Sequence, residues 1–220
     1  MSEAVIACDA VLFDMDGTLV DSRELVERMW LQWAAEHGLS ADAVLAVAHG
    51  RRTLETMAIV APHLATPEEA ARLDALEASE ESNQAAIAGA KALLETLPAD
   101  RWAVVTSAGH ELALARLASV GLPRPLVLVG ADDVAEGKPA PDGYLKAAAA
   151  LGFAPERCVV LEDTPAGALA GRAAGATVIG LRTTFASVEP CDFLVDDLRA
   201  VRALRAPDGS LTALIVSAPR

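Results

Sequence analysis

The sequence predicts an α/β protein built on a doubly wound parallel sheet, with a small α-helical unit inserted into it. Short apolar segments rich in β-branched residues alternate with helical stretches, whereas residues 19–89 show helical patterning alone. Such alternation is typical of parallel strands covered by helices on both faces. In addition, acidic or hydroxyl residues follow several of the apolar segments, where α/β proteins place their active groups.

Six apolar segments predict the strands of this sheet. They are Ala10–Asp14, Trp102–Thr106, Leu126–Val129, Cys158–Leu161, Thr177–Leu181 and Phe193–Val195. The helices between them are predicted at Glu111–Val120, Asp142–Leu151 and Ala166–Ala174. Near the end of the chain, a turn at Pro207–Ser210 is expected to link a last helix to a terminal strand, Leu211–Val216.

The inserted segment predicts four helices, at Arg23–His37, Ala41–Ala48, Thr53–Val60 and Pro67–Ala88. The last of them begins with Thr66 as N-cap and Pro67 at the first helical position. It continues into an acidic face that we expect to be solvated. The predicted organisation is therefore a core of residues 1–18 and 90–220 around a helical unit of residues 19–89.

The composition favours small ligands. With 220 residues, 53% of them hydrophobic, the chain can bury one sizeable core. Its net charge of −13 repels nucleic acid and anionic membranes, so we expect neither as a partner. A small phosphorylated metabolite would require local positive charge, from a cation or from Lys and Arg. Because no signal peptide or membrane-spanning stretch is evident, we expect a cytoplasmic protein, as a monomer or weak homodimer.

The pair Asp14 and Asp16 directly follows the first predicted strand. Two carboxylates this close repel each other unless a cation neutralises them, and carboxylate oxygens favour Mg2+. Taken alone, the pair could equally form a surface turn in which Gly17 has a positive φ. It therefore indicates a metal site only in combination with further groups.

Three further elements supply such groups. Ser107 follows a strand, and its hydroxyl and the neighbouring backbone N–H of Ala108 could bind phosphoryl oxygens, although a serine here also suits a helix cap. Lys138 lies in a stiff Gly/Pro segment that would fix its ammonium, although a lone lysine is usually solvated. Glu162 and Asp163 form a second acidic pair at a strand end and could complete a Mg2+ site.

In this order, the four elements resemble the signature motifs of the haloacid dehalogenase superfamily. The matching segments are Asp14-x-Asp16-Gly-Thr-Leu-Val-Asp-Ser, Thr106-Ser107, Gly-Lys138-Pro-x-Pro-Asp and Glu162-Asp163-Thr-x-Ala-Gly. The resemblance covers roughly residues 1–18 and 90–220 and implies a Rossmann-like core. It also implies that the inserted helices form the small helical cap of subclass I.

The resemblance implies a role for each matching residue. Asp14 would be the nucleophile that attacks phosphorus, and Asp16 the general acid and base. Mg2+ would be held by Asp14, the backbone carbonyl of Asp16 and Asp163, with Glu162 in or next to the coordination shell.

Lys138 and Ser107 would balance charge on the transferring group. Dehalogenases lack the acid/base carboxylate, whereas this chain has Asp16. Phosphonate-hydrolysing relatives use a cap lysine, and residues 19–89 contain none. The resemblance therefore implies a phosphoric monoester hydrolase.

The segment His49-Gly50-Arg51-Arg52-Thr53 lies between two predicted helices. It resembles the substrate-selecting cap loop of the branch that contains glycerol-3-phosphate and 2-deoxyglucose-6-phosphate phosphatases. The resemblance implies that His49, Gly50 and Arg52 bind substrate together with Ser107 and Ala108. For the two arginines, an exposed helix start with solvated charges is the alternative.

Two other functions stay open at this point. A β-phosphoglucomutase would return the phosphoryl group to the sugar rather than to water, and its substrate loop also contains a Gly followed by an Arg. A non-catalytic sensor of phosphorylated metabolites would be expected to lose the nucleophile, the acid/base or the lysine, and all three are present. The sequence therefore favours a Mg2+-dependent phosphatase that acts on small sugar or polyol phosphates through an aspartyl-phosphate.

Overall fold

The structure, a computed structural model, describes residues 3–79 and 84–217. Its strands are β1 (Glu3–Ala7), β2 (Ala10–Phe13), β3 (Val20–Asp21), β4 (Ala85–Ala86), β5 (Trp102–Val105), β6 (Val127–Val129), β7 (Cys158–Glu162), β8 (Thr177–Leu181), β9 (Phe193–Val195), β10 (Val201–Arg205) and β11 (Leu211–Ser217). Its α-helices are α1 (Arg23–Glu36), α2 (Ala41–Ala48), α3 (Thr53–Val60), α4 (Pro67–Ser79), α5 (Ala90–Thr96), α6 (His110–Ser119), α7 (Asp142–Leu151) and α8 (Pro165–Ala173). None of these helices has the length and apolarity needed to cross a membrane.

Six strands form the central sheet, in the order β6-β5-β2-β7-β8-β9, and all of them run parallel. Every residue of β2, in the middle of the sheet, is buried. Its side chains alternate: Val11 and Phe13 pack on the face covered by α5 and α6, and Ala10 and Leu12 on the face covered by α7 and α8. The predicted doubly wound α/β class is confirmed.

The helices α1 to α4 pack around a hydrophobic cluster separate from the two clusters that flank the sheet. Its largest buried side chains are those of Met29, Trp30, Trp33, Met57 and Leu73. A two-stranded antiparallel ribbon, in which Val20 pairs with Ala86, lies where the chain passes between these helices and the sheet. All four helices begin at the predicted residue. The predicted boundaries after residues 18 and 89 stay predictions.

One helix prediction is wrong in part, and another is wrong. The helix predicted over Pro67–Ala88 is helical over Pro67–Ser79, residues 80–83 lie outside the described part of the chain, and Ala85–Ala86 form β4. The segment before the turn at Pro207–Ser210 is strand β10 and not a helix. Its residues also suit a helix, so its pairing with β11 decides its conformation.

Of the three strands in the antiparallel sheet β1-β11-β10, only the terminal strand β11 was predicted. In this sheet Glu3 of β1 pairs with Ser217 of β11. Residues so far apart in sequence give no local signal of their pairing. Only the folded chain brings them together.

Candidate active site

Three neighbouring strands deliver the predicted acidic and hydroxyl residues to one edge of the sheet. Strand β2 lies between β5 and β7, so Asp14 beyond β2 is flanked by Ser107 beyond β5 and by Asp163 beyond β7. The carboxyl ends of parallel strands meet at the same edge. Asp14 is 4% exposed, and Glu162 and Asp163 are 0% exposed. Asp14, Glu162 and Asp163 therefore share one buried corner, the acidic floor, with Lys138.

Lys138 brings positive charge to the acidic floor. Its Nζ contacts Oδ1 of Asp14 and lies 2.7 Å from Oε1 of Glu162 and 3.3 Å from the carbonyl oxygen of Val105. Burial opposes the charge of the ammonium, but the two carboxylates outweigh it and raise the pKa of Lys138 well above its usual value. Lys138 therefore stays protonated beside Asp14.

Glu162 uses both carboxylate oxygens inside the protein. Oε1 accepts from Lys138 and, at 2.9 Å, from the hydroxyl of Tyr144. Oε2 accepts at 3.0 Å from the backbone N–H groups of Asp163 and Thr164 and from the Thr164 hydroxyl. A Cβ at Gly167 would lie 1.6 Å from Oε1, so the glycine leaves the space that Glu162 occupies. Glu162 thereby fixes both the lysine and the loop that carries Asp163.

The three carboxylates of the acidic floor could hold a metal ion. Asp14, Glu162 and Asp163 each offer an oxygen within 4.8 Å of the others. Oδ1 of Asp163 accepts from Thr18 at 3.1 Å, whereas its buried Oδ2 has no hydrogen-bond partner among the described residues. Burial, together with the charge of Glu162, raises the pKa of Asp163 to about 7. A divalent cation would satisfy the free oxygen and neutralise this negative charge, so the residues fit one.

Burial also raises the pKa of Asp14 well above its usual value. Lys138 opposes this shift, while the charges of Glu162 and Asp163 add to it. Keeping Asp14 ionised therefore costs free energy, and nearby positive charge must offset this cost.

The carboxylate of Asp16 is not part of the three-carboxylate group. Its Oδ1 accepts hydrogen bonds from Ser22 at 2.6 Å and from Arg116 of α6 at 2.8 Å. The guanidinium of Arg116 also donates to Glu77 of α4 at 2.5 Å. Arg116 therefore links the predicted acid/base residue to the helical unit.

Neither Arg116 nor Glu77 was predicted from the sequence as a site residue. Arg116 is 5% exposed and shares the buried face of α6 with Ala113 and Leu117. An arginine at core spacing on an amphipathic helix is the signal that could have found it. Glu77 lies on the helical face that was expected to be solvated, yet its side chain is 11% exposed. Burial raises its pKa, although Arg116 opposes the shift.

The predicted phosphate-binding groups are hydrogen-bonded within the protein. The Ser107 hydroxyl donates to the backbone carbonyl of Gly50 at 3.0 Å, across from the sheet to the helical unit. The Ala108 N–H donates to Oγ1 of Thr106 at 3.1 Å. A bound phosphoryl group would have to exchange with these partners.

The loop of residues 49–53 contacts the core at several points. The Arg52 guanidinium donates to the backbone carbonyls of Val134 and Ala135, at 3.1 and 3.3 Å. His49 packs edge-on against Phe185, with ring centroids 5.8 Å apart, and burial lowers its pKa. Gly50 has φ +79°, which favours glycine.

A cavity of about 640 Å³ opens between the sheet edge and the helical unit. Small-molecule sites commonly enclose about 300 to 1,000 Å³. The lining includes every residue predicted to bind substrate, namely His49, Gly50, Arg52, Ser107 and Ala108, and it also includes Asp14, Asp16, Glu77 and Arg116. Lys138, Glu162 and Asp163 do not line the cavity.

Comparison with known proteins identifies the family. The sequence model of the family described as haloacid dehalogenase-like hydrolase matches residues 8–175 of this chain. The chain belongs to this family. Hexitol phosphatase A of Escherichia coli (strain K12) is 41% identical to this chain over 211 residues, which are 93% of this chain and 98% of that protein. Glycerol-1-phosphate phosphohydrolase 2 of Saccharomyces cerevisiae is 34% identical over 212 residues, 88% of this chain and 84% of that protein.

A solved structure of another hydrolase shares the fold. The crystal structure of a hydrolase from Pseudomonas syringae superposes with a TM-score of 0.76 at 26% identity, over 86% of this chain and 94% of that one. The predicted family and the predicted class of enzyme, a hydrolase of the phosphatase type, are confirmed.

Proposed function

We propose that the protein is a Mg2+-dependent phosphatase that hydrolyses small sugar or polyol phosphates through an aspartyl-phosphate on Asp14. The observation that carries this proposal is the contact between buried Asp14 and Lys138 at the centre of the sheet edge. A carboxylate that attacks a phosphate dianion meets electrostatic repulsion, and a fixed ammonium beside it offsets that repulsion. The cavity above Asp14 gives the phosphate access to it.

The proposed reaction has two steps. In the first, a carboxylate oxygen of Asp14 forms a bond to phosphorus, the bond from phosphorus to the substrate oxygen breaks, and that oxygen takes a proton from Asp16. In the second, Asp16 takes a proton from a water molecule whose oxygen attacks phosphorus. The bond between phosphorus and Asp14 then breaks, and inorganic phosphate leaves. Lys138 orients Asp14 in both steps.

Mg2+ would be held by the carboxylates of Asp14 and Asp163 and by the backbone carbonyl of Asp16. The unpartnered Oδ2 of Asp163 supports this assignment. Glu162, whose oxygens are both hydrogen-bonded, would act from outside the coordination shell by holding Lys138 and the loop of Asp163. When bound, the ion would neutralise charge on the transferring phosphoryl group.

Removal of metal tests the Mg2+ assignment. Dialysis against EDTA should abolish phosphate release, and added Mg2+ should restore it. The fraction of folded protein, followed by circular dichroism, should stay constant throughout. Full activity in EDTA would show the assignment to be wrong.

The cavity and the names of the relatives both support this substrate class. The cavity of about 640 Å³ accommodates a ligand of several carbon atoms, and its wall carries both acidic and basic side chains that can bind hydroxyl groups. Relatives named Hexitol phosphatase A and Fructose-1-phosphate phosphatase YqaB, 41% and 32% identical to this chain, support a polyol or sugar phosphate. We propose that residues 19–89 act as a cap over this site, with His49 and Gly50 facing the substrate.

A phosphate-release screen over hexitol, glycerol and hexose phosphates tests the function. We expect Mg2+-dependent release from at least one member and no change of a hexose 1-phosphate into its isomer. The isomerisation assay is included because a structure called a putative β-phosphoglucomutase, from Bacteroides vulgatus, is 29% identical with a TM-score of 0.72. Isomerisation without phosphate release would favour the mutase. The absence of both reactions would contradict the proposal.

A further inference from the structure

Arg116 occupies an unusual position between the sheet edge and the helical unit. Its Nη1 lies 2.8 Å from Oδ1 of Asp16, and its Nη2 lies 2.5 Å from Oε1 of Glu77. The guanidinium is buried, and its Nε–H has no hydrogen-bond partner among the described residues. A buried N–H without a partner is costly and uncommon, which points to a requirement other than stability at this position.

The contacts of Asp16 are unevenly distributed over its two oxygens. Oδ1 accepts from both Ser22, at 2.6 Å, and Arg116. In the part of the chain that the structure describes, Oδ2 accepts no hydrogen bond, and Asp16 lines the cavity. Two donors on one oxygen restrict rotation of the carboxyl group, and the other oxygen stays available for proton transfer.

We propose that Arg116 is a positioning residue for Asp16 and that Glu77 of the helical unit holds Arg116 in place. The inference rests on the proposed function. Arginine suits the task because its two terminal nitrogens form a rigid fork that can contact Asp16 and Glu77 at once. The single nitrogen of a lysine cannot reproduce both contacts in that geometry. The orientation of the acid/base residue thereby depends on the helical unit as well as on the sheet.

The leaving group of the substrate separates positioning from general damage. An alkoxide leaving from a polyol phosphate needs the proton of Asp16, whereas p-nitrophenolate leaves readily without one. The ratio of kcat/KM for the best polyol phosphate to kcat/KM for p-nitrophenyl phosphate therefore reports how well Asp16 delivers its proton. A defect in folding or in phosphate binding lowers both values and leaves their ratio unchanged.

The variants Arg116→Met and Arg116→Lys test the role of the fork. We expect the ratio to fall about 10²-fold in Arg116→Met, as it should in Asp16→Asn, and less in Arg116→Lys. Glu77→Gln should lower the ratio by a smaller factor, because Arg116 keeps its contact with Asp16. The control is Arg72→Met, which removes a positive charge from α4 outside the cavity lining, where Arg72 pairs with Glu36 and Glu69, and should leave the ratio unchanged.

The outcomes distinguish this inference from the proposed function. If wild-type protein releases phosphate from neither substrate, the proposed function fails. If wild-type protein is active but the ratio is unchanged in the folded Arg116 variants, the positioning role is wrong. Should Arg116→Met not fold, Arg116→Lys and Glu77→Gln decide, and wild-type ratios in both would overturn the inference. Thermal unfolding of each variant establishes which ones are folded.

Discussion

The acidic floor at the sheet edge and the helical wall of the cavity are built in different ways. On the floor, Asp14, Lys138, Glu162 and Asp163 are buried and joined by ion pairs and hydrogen bonds to backbone from neighbouring strands. On the wall, residues 49–52 are only partly buried. The wall contacts the core through separate hydrogen bonds, such as the one from Ser107 to the carbonyl of Gly50.

This difference corresponds to two physical requirements. Attack on phosphorus needs charges fixed within a fraction of an ångström, which only a buried and mutually constrained set of groups provides. Entry of a substrate needs contacts that can be exchanged at low cost, which suits half-exposed loop residues. Substitutions on the floor should therefore affect chemistry and stability, and substitutions on the wall should affect substrate use.

The largest effect is expected on the floor, from Asp14→Asn. The amide cannot act as the nucleophile, so turnover should fall by at least about 10³-fold. Because the amide has nearly the same shape, the fold should persist, as checked by circular dichroism. Phosphate release near the wild-type rate would remove Asp14 from its assigned role.

Lys138→Met should have the next largest effect, because it leaves Asp14 and Glu162 buried without their counter-charge. Breaking a buried ion pair costs about 3–5 kcal/mol of unfolding free energy. Without the ammonium, the native state favours protonated Asp14, whose pKa in the unfolded chain is near 3.8. The variant should therefore lose stability as pH rises above that value.

Urea unfolding in metal-free buffer at pH 5 and pH 8 measures this loss. The matched control is Lys146→Met, which removes an exposed lysine from α7 that pairs with Asp133. We expect the control to stay close to wild type at both pH values. Equal stability of the two variants would contradict the assignment of Lys138 as the counter-charge of the floor.

On the wall, Gly50→Ala should reduce substrate use rather than abolish chemistry. The added Cβ would lie 2.4 Å from Oγ1 of Thr164, which also caps α8 by accepting from the Gly167 N–H at 3.1 Å. Because Thr164 is thereby held, the loop must shift. A shift of about 1 Å can lower kcat/KM by up to about 10²-fold.

Gly38→Ala is the matched control for this change. Gly38 also lies in the helical unit and has φ +65°, but its added Cβ meets no atom within 4 Å. Both variants carry the backbone strain of a left-handed alanine, about 1–2 kcal/mol. If both lower kcat/KM to the same extent, strain rather than the contact with Thr164 explains the effect.

The smallest predicted effect is the pH dependence of the helical unit. Hydrogen bonds lower the pKa of Glu69 from 4.5 to about 2. The hydrogen bond from Arg72 has the largest effect, and those from Trp33 and His37 add to it. A lowered pKa stabilises the fold above the unfolded value, and this contribution is lost as pH falls from about 4.5 towards 2. Glu69→Gln should therefore flatten the fall in stability over this range.

Thermal unfolding between pH 6 and pH 3 tests the Glu69 prediction. The control Glu68→Gln changes an exposed residue in the same first turn of α4. Curves for Glu69→Gln and wild type that run parallel throughout would contradict the prediction.

Much of the candidate site could be predicted because most of its residues follow apolar strands. Strand-end positions place Asp14, Ser107 and Asp163 at one edge once the sheet is known to be parallel. Arg116 and Glu77 could not be found in this way. They are 39 positions apart, and each has an ordinary helical setting in the sequence. Their pairing depends on how α4 of the helical unit lies against α6 of the core.

The sequence by itself determined the fold class, the family and the set of chemical groups, because local hydrophobic patterns and short motifs encode them. Tertiary structure alone decided which carboxylate oxygens lack a hydrogen-bond partner. It also brought the guanidinium of Arg52 within hydrogen-bond distance of the backbone carbonyl of Val134. It also decided the pairing of β1 with β11. Such features depend on distances between residues remote in sequence, which only the packed chain sets.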